Sequence, residues 1–143
     1  MARFIFGRAW LAVGVFAWLG IAGCGRGDGL ERYHVSGTVT YQGAPVPSGL
    51  VTFSPDSSQG NRGPQGVAKI RDGKFDTRSE GGKAPVPGPQ TVSVRGSDGR
   101  AYEDDAGIEQ PDGKPLFTPW TTTVDVREDQ LTIELEVPTA ASK

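Results

Sequence analysis

The sequence predicts an all-β fold, a single antiparallel β-sandwich of seven short strands, on three observations. Apolar residues recur at every second position in several short runs, the period at which alternate side chains share one face of a strand. Turn formers separate these runs, because 21 Gly and 11 Pro are spread along the chain and leave little room for long helices. Between two of the runs stands Asp72-Gly73, a dipeptide suited to a two-residue hairpin whose central positions both take positive φ.

The first strand runs from Tyr33 to Tyr41. Tyr33, Val35, Gly37, Val39 and Tyr41 alternate with His34, Ser36, Thr38 and Thr40, so the first set is expected inward and the second toward water. Gly43, Pro45 and Pro47 break that pattern before Leu50 to Ser54, where Val51 and Phe53 share a face. Val67 to Arg71 and Lys74 to Thr77 are expected to form the hairpin about Asp72-Gly73. Pro85-Val86-Pro87-Gly88-Pro89 lacks the regular amide donors of a ladder and reads as a connection, followed by Thr91 to Arg95 with Val92 and Val94 on one side. Thr121 to Val126 and Leu131 to Val137 read as a last hairpin around Arg127 to Gln130, ended by Pro138. The expected core is therefore Val35, Val39, Val51, Phe53, Ile70, Phe75, Val92, Val94, Val124, Val126, Ile133 and Leu135, with His34, Thr38, Thr132, Glu134 and Glu136 exposed.

The segment Val35 to Phe53, with Val35-Ser36-Gly37-Thr38-Val39 followed by Gly43-Ala44-Pro45-Val46, resembles the opening of carboxypeptidase-regulatory-like domains. Asp72-Gly73-Lys74-Phe75 is similar to that family's hairpin, and Pro87-Gly88 to its Pro-Gly before a Val-x-Val strand. The resemblance covers Tyr33 to about Val137 and implies a transthyretin-like or Ig-like sandwich with a non-catalytic accessory role. It brings no catalytic residues. The chain departs from it at Pro89-Gln90, where the family carries an aromatic residue, and in the long stretch Gly96 to Pro119, which shows no clear strand of its own.

At the N-terminus, Arg3 and Arg8 precede an apolar stretch from Ala9 to Ala22, of signal-peptide rather than membrane-span length. It closes on Ile21-Ala22-Gly23-Cys24, which resembles the bacterial lipobox, with the only cysteine of the chain at the acylated position. That resemblance implies a lipoprotein signal peptide over residues 1–23, lipidation at Cys24 and an extracytoplasmic protein anchored to a bacterial membrane, on its periplasmic face or the cell surface. Acyl chains contribute about 0.8 kcal/mol per buried methylene, so two or three of them on one cysteine hold a protein stably. The glycine-rich residues 24–32 read as a flexible tether, residues 33–138 as the domain and residues 139–143 as a disordered tail.

Composition and motifs exclude several chemistries. A net charge of −2 gives no nucleic-acid footprint. The single histidine, His34, sits on a face expected to meet water, away from a nucleophile, and with the only thiol lipidated a closed zinc site cannot be built. No cofactor or metal is expected; Glu103, Asp104, Asp105 and Glu109 could gather calcium but lack the spacing of a calcium loop, and otherwise form a solvated acidic loop. Tyr102, Phe117 and Trp120 are the candidate contact surface, with core packing as the plainer alternative for Phe117 and Trp120. The expected function is a non-catalytic, membrane-anchored envelope lipoprotein whose sandwich serves as a structural or protein-interaction module, its partner an envelope protein. The alternative is a carbohydrate- or polysaccharide-binding module at the cell surface.

Overall fold

In a computed structural model, residues 29–141 are described. The leader, the lipobox Ile21-Ala22-Gly23 and Cys24 lie outside them. Ten strands follow one another: β1 (Val35–Tyr41), β2 (Ala44–Pro45), β3 (Ser48–Pro55), β4 (Gly66–Arg71), β5 (Lys74–Asp76), β6 (Gly88–Ser97), β7 (Tyr102–Glu103), β8 (Glu109–Gln110), β9 (Trp120–Val126) and β10 (Leu131–Val137). Only short 3₁₀ turns, Ser57–Gln59 and Thr139–Ala141, interrupt the β structure. The second of these opens the segment read as a tail, and Thr118 N and Oγ1 both donate to Ala141 O at 2.9 Å.

One main sheet has the order β10-β1-β5-β4-β3-β6-β9, with β2 pairing beside β1, while β7 and β8 form a separate two-stranded finger. Asp72 and Gly73 take φ of 51° and 74° and bring Arg71 opposite Lys74, so the hairpin chemistry read from the sequence holds. The last expected hairpin does not form. β10 lies parallel to β1, from Val35 opposite Leu131 to Tyr41 opposite Val137, whereas β9 pairs antiparallel with β6 at the far edge. A short link between two alternating runs looks the same in sequence whether it turns within one sheet or crosses between facing edges.

That crossing sets the curvature. Seven strands laid flat would separate the outer two by about 29 Å, whereas the backbone from Val126 to Leu131 can span at most about 18 Å. The sheet therefore curls into a half-barrel, largely antiparallel, and folds its apolar face inward. The count of seven antiparallel strands is thus corrected to an eight-stranded curled sheet with one parallel pair and a separate finger.

The enclosed face holds Val35, Val39, Val51, Phe53, Ala68, Ile70, Phe75, Val92, Val94, Val126, Leu135 and Val137. Phe53 on β3 and Phe75 on β5, two strands apart, bring their rings to 6.2 Å between centroids across the curl. Val124 and Ile133, expected inside, are only half-buried; they lie on the two edge strands, whose inward residues nearer the crossing or the far end, Val126, Leu135 and Val137, are buried. His34, expected exposed, is half-buried as well, since its backbone N donates to Asp129 Oδ1 at 2.7 Å.

Candidate functional site

The three aromatics singled out in the sequence do not form one exposed patch. Phe117 is 2 % exposed and stacks against Tyr41 with ring centroids 4.9 Å apart, closing the core between β1 and β6. Trp120 opens β9 opposite the buried Val94 and packs against the core, half-buried. Tyr102 stands on the finger, where Lys114 Nζ lies 5.2 Å from its ring centroid. Packing is thus the role of Phe117, and accessible aromatic surface is left to Tyr102 and part of Trp120.

The acidic loop is organised by its own carboxylates. Asp104 Oδ1 accepts from Ala106 N and Ile108 N at 3.0 and 2.9 Å, and its Oδ2 accepts from Gln110 Nε2 at 3.0 Å. The Ile108 amide above all, with the Gln110 side chain, holds the Asp104 carboxyl below its ordinary pKa. At the base of the finger, Asp98 Oδ1 accepts from Arg100 N and Lys114 N, both at 3.0 Å, and the Arg100 amide is the main cause of its lowered pKa. Both side chains act as caps that turn the backbone, as aspartates commonly do in loops. Among the described residues no three His, Cys, Asp or Glu side chains gather as a metal site would need.

His34 sits beside groups that in another arrangement would suggest hydrolysis. Its Nδ1 is 3.5 Å from Thr77 Oγ1, and Asp129 is close by, but that oxygen already accepts from Val35 N at 3.0 Å and lies in a residue only 3 % exposed. Asp129 accepts from the His34 backbone amide and not from its ring, and that amide chiefly holds the Asp129 carboxyl below its usual range. The three residues tie the start of β1 to the ends of β5 and the β9–β10 link. They do not align a nucleophile with a base and an orienting acid.

The outer face of the sheet carries a concave feature. Two adjoining cavities of about 460 and 420 Å³ share Lys69 and Arg71, and together they run from Thr132 on β10 and Ser36 on β1 across to Arg95 and Ser97 on β6. Strand alternation builds this groove. Ala68 and Ile70 point inward on β4, so Lys69 and Arg71 between and beyond them point out, about 7 Å apart along the strand. Arg71 is opposite Lys74 across the hairpin, while Leu50 on β3 lies between Lys69 and Arg95, about 10 Å apart across two strand spacings. All four cations are exposed, and none makes an ion pair among the described residues.

The acids on the groove's rim are largely engaged elsewhere. Asp76 is held by Arg78, with Nε to Oδ1 and Nη2 to Oδ2 both at 3.2 Å, and Asp112 Oδ1 accepts from Ser48 Oγ at 3.2 Å. Glu80 remains on the rim. Sequence reasoning passed over this cluster. The outward alternation of Lys69 and Arg71 was legible, but bringing Arg95 beside them needs the register of β3 with both its neighbours.

Compared with protein-family models, curated proteins and solved structures, the chain matches none.

Proposed function

We propose that the chain is a non-catalytic envelope lipoprotein, held to a bacterial membrane by lipid on Cys24, whose β domain serves as a structural or binding module. The observation that carries the anchor is Ile21-Ala22-Gly23-Cys24 at the end of an Arg-led apolar segment. Among the described residues no helix is long and apolar enough to cross a membrane. The polar groups just described serve the backbone: Asp98, Asp104, Thr77 and Asp129 each accept a main-chain amide.

Two halves of the curled sheet, linked at residues 127–130 and packed on Phe53 and Phe75, fit a transthyretin-like sandwich, the fold this reading implies. The fold by itself hosts many functions. Metabolic labelling with a fatty acid, followed by membrane fractionation of the natural chain and of Cys24→Ser, tests the anchor. Label and membrane retention should both vanish in the variant, and retention without Cys24 would overturn it. One observation favours a second reading, a polysaccharide-binding module: the groove on the outer face joins hydroxyl and cationic side chains over two contiguous cavities.

A further inference from the structure

We infer that the outer-face groove binds a linear, carboxylate-bearing polysaccharide, with Lys69, Arg71, Lys74 and Arg95 as its anion-recognising side chains. The inference rests on the polysaccharide-binding reading and adds to it the charge of the ligand and the residues that select it. Charge complementarity is the first argument. On a chain of net charge −2, four cations gather on one face and outnumber the lining acids Asp76, Glu80 and Asp112, and none of them makes an ion pair among the described residues, whereas Arg78 and Arg127 each hold a neighbouring aspartate. Bringing four like charges together costs repulsion, which an anionic ligand would relieve.

Shape decides between ligands. A lipid bilayer presents a plane of headgroups, but these cations line two adjoining recesses that share Lys69 and Arg71, which a plane would not enter. Their combined length, from β1 across β5, β4 and β3 to β6, is about 19 Å at ordinary strand spacing, enough for several sugar units in a row. A single phosphate would use one end of that length. The wall chemistry agrees: Ser36, Thr38 and Thr132 line the β1 end with hydroxyls that can exchange hydrogen bonds with sugar hydroxyls. Arg71 and Arg95 offer planar forks that match a carboxylate with two parallel N–H donors, and Lys69 and Lys74 add point charges between them and the hydroxyl wall.

The test uses the purified full chain and three probes: polygalacturonate, neutral dextran, and vesicles containing phosphatidylglycerol. Retention on polygalacturonate that weakens with salt is expected, falling about tenfold or more in Lys69→Gln/Arg71→Gln/Arg95→Gln at unchanged thermal stability. Lys114→Gln, on the finger, should bind as the natural chain does. Arg71→Lys/Arg95→Lys keeps charge but loses the forks and is expected to fall between. Binding to dextran alone would overturn the inference while leaving the polysaccharide reading in place; binding to no polymer would overturn both. Salt-sensitive binding to the vesicles without polygalacturonate retention would overturn it in favour of a lipid surface. Equal retention of the triple variant would show that these cations are not the site.

Discussion

The ring of Phe117 occupies the space that a side chain on Gly96 would need: a Cβ there would lie 2.7 Å from both Cε1 and Cζ of the ring. Val46 Cγ1 would be 2.8 Å from the same atom. Gly96 on β6 therefore admits the aromatic plug that closes one end of the core, and both neighbours are buried too firmly to yield.

Gly96→Ala should accordingly destabilise the protein by about 1–3 kcal/mol through overpacking, measured by urea unfolding. Phe117→Leu in the same chain should recover part of the loss. A neutral Gly96→Ala would mean that Phe117 can move aside.

Phe53→Ala and Phe75→Ala should each cost about 3–5 kcal/mol, because each leaves a cavity facing the other ring at the fold of the curl. Their effects should not add, since the two rings share one space. A loss under about 1 kcal/mol at both sites would show that the curl is not built on them.

Acid should loosen the finger before the main sheet. The carboxyls of Asp98 and Asp104 lie below their ordinary value of 3.8 because they accept backbone amides, so their contribution is fully present above that value and is lost as pH falls through the lower folded-state values. Hydrogen exchange at Arg100, Ala106, Ile108 and Lys114 should rise below about pH 4 while Val51 and Val94 stay protected. Asp104→Ala should produce the same exchange pattern within the Asp104–Gln110 turn at neutral pH.

The finger also sets Glu103 directly opposite Glu109. Like charges at such a pair repel, so Glu109→Lys should steady the finger by about 0.2–1 kcal/mol, read as slower exchange at Asp104 N, which donates to Ile108 O.

What could be read from the sequence was what local chemistry decides. Asp72-Gly73 needs only its own φ preferences, and the inward faces of β1, β3 and β6 follow from alternation because both flanks of each strand are covered. Alternation assigns a face but not a depth along an edge strand, which is why Val124 and Ile133 were expected deeper than they lie. Core packing was the plainer reading of Phe117, but where it packs was not legible between Pro115 and Pro119 in a stretch without period; its place depends on the missing side chain of Gly96, far off in sequence. Arg95 joined the cationic groove for a similar reason, through two ladders that pair Leu50 with Lys69 on one side and with Arg95, much further along the chain, on the other.

The parallel ladder between β1 and β10 has a consequence for how the protein comes into being. The first strand made is completed by the last, so a nascent chain must carry β1 with one edge open until Val137 has left the ribosome. Its closing contacts have the greatest sequence separation of any strand pairing among the described residues, and such pairings are slow to form because the loop entropy is lost before the ladder compensates it. No N-terminal fragment is a smaller working copy: truncation before Leu131 leaves an unpaired strand edge ready to recruit another chain.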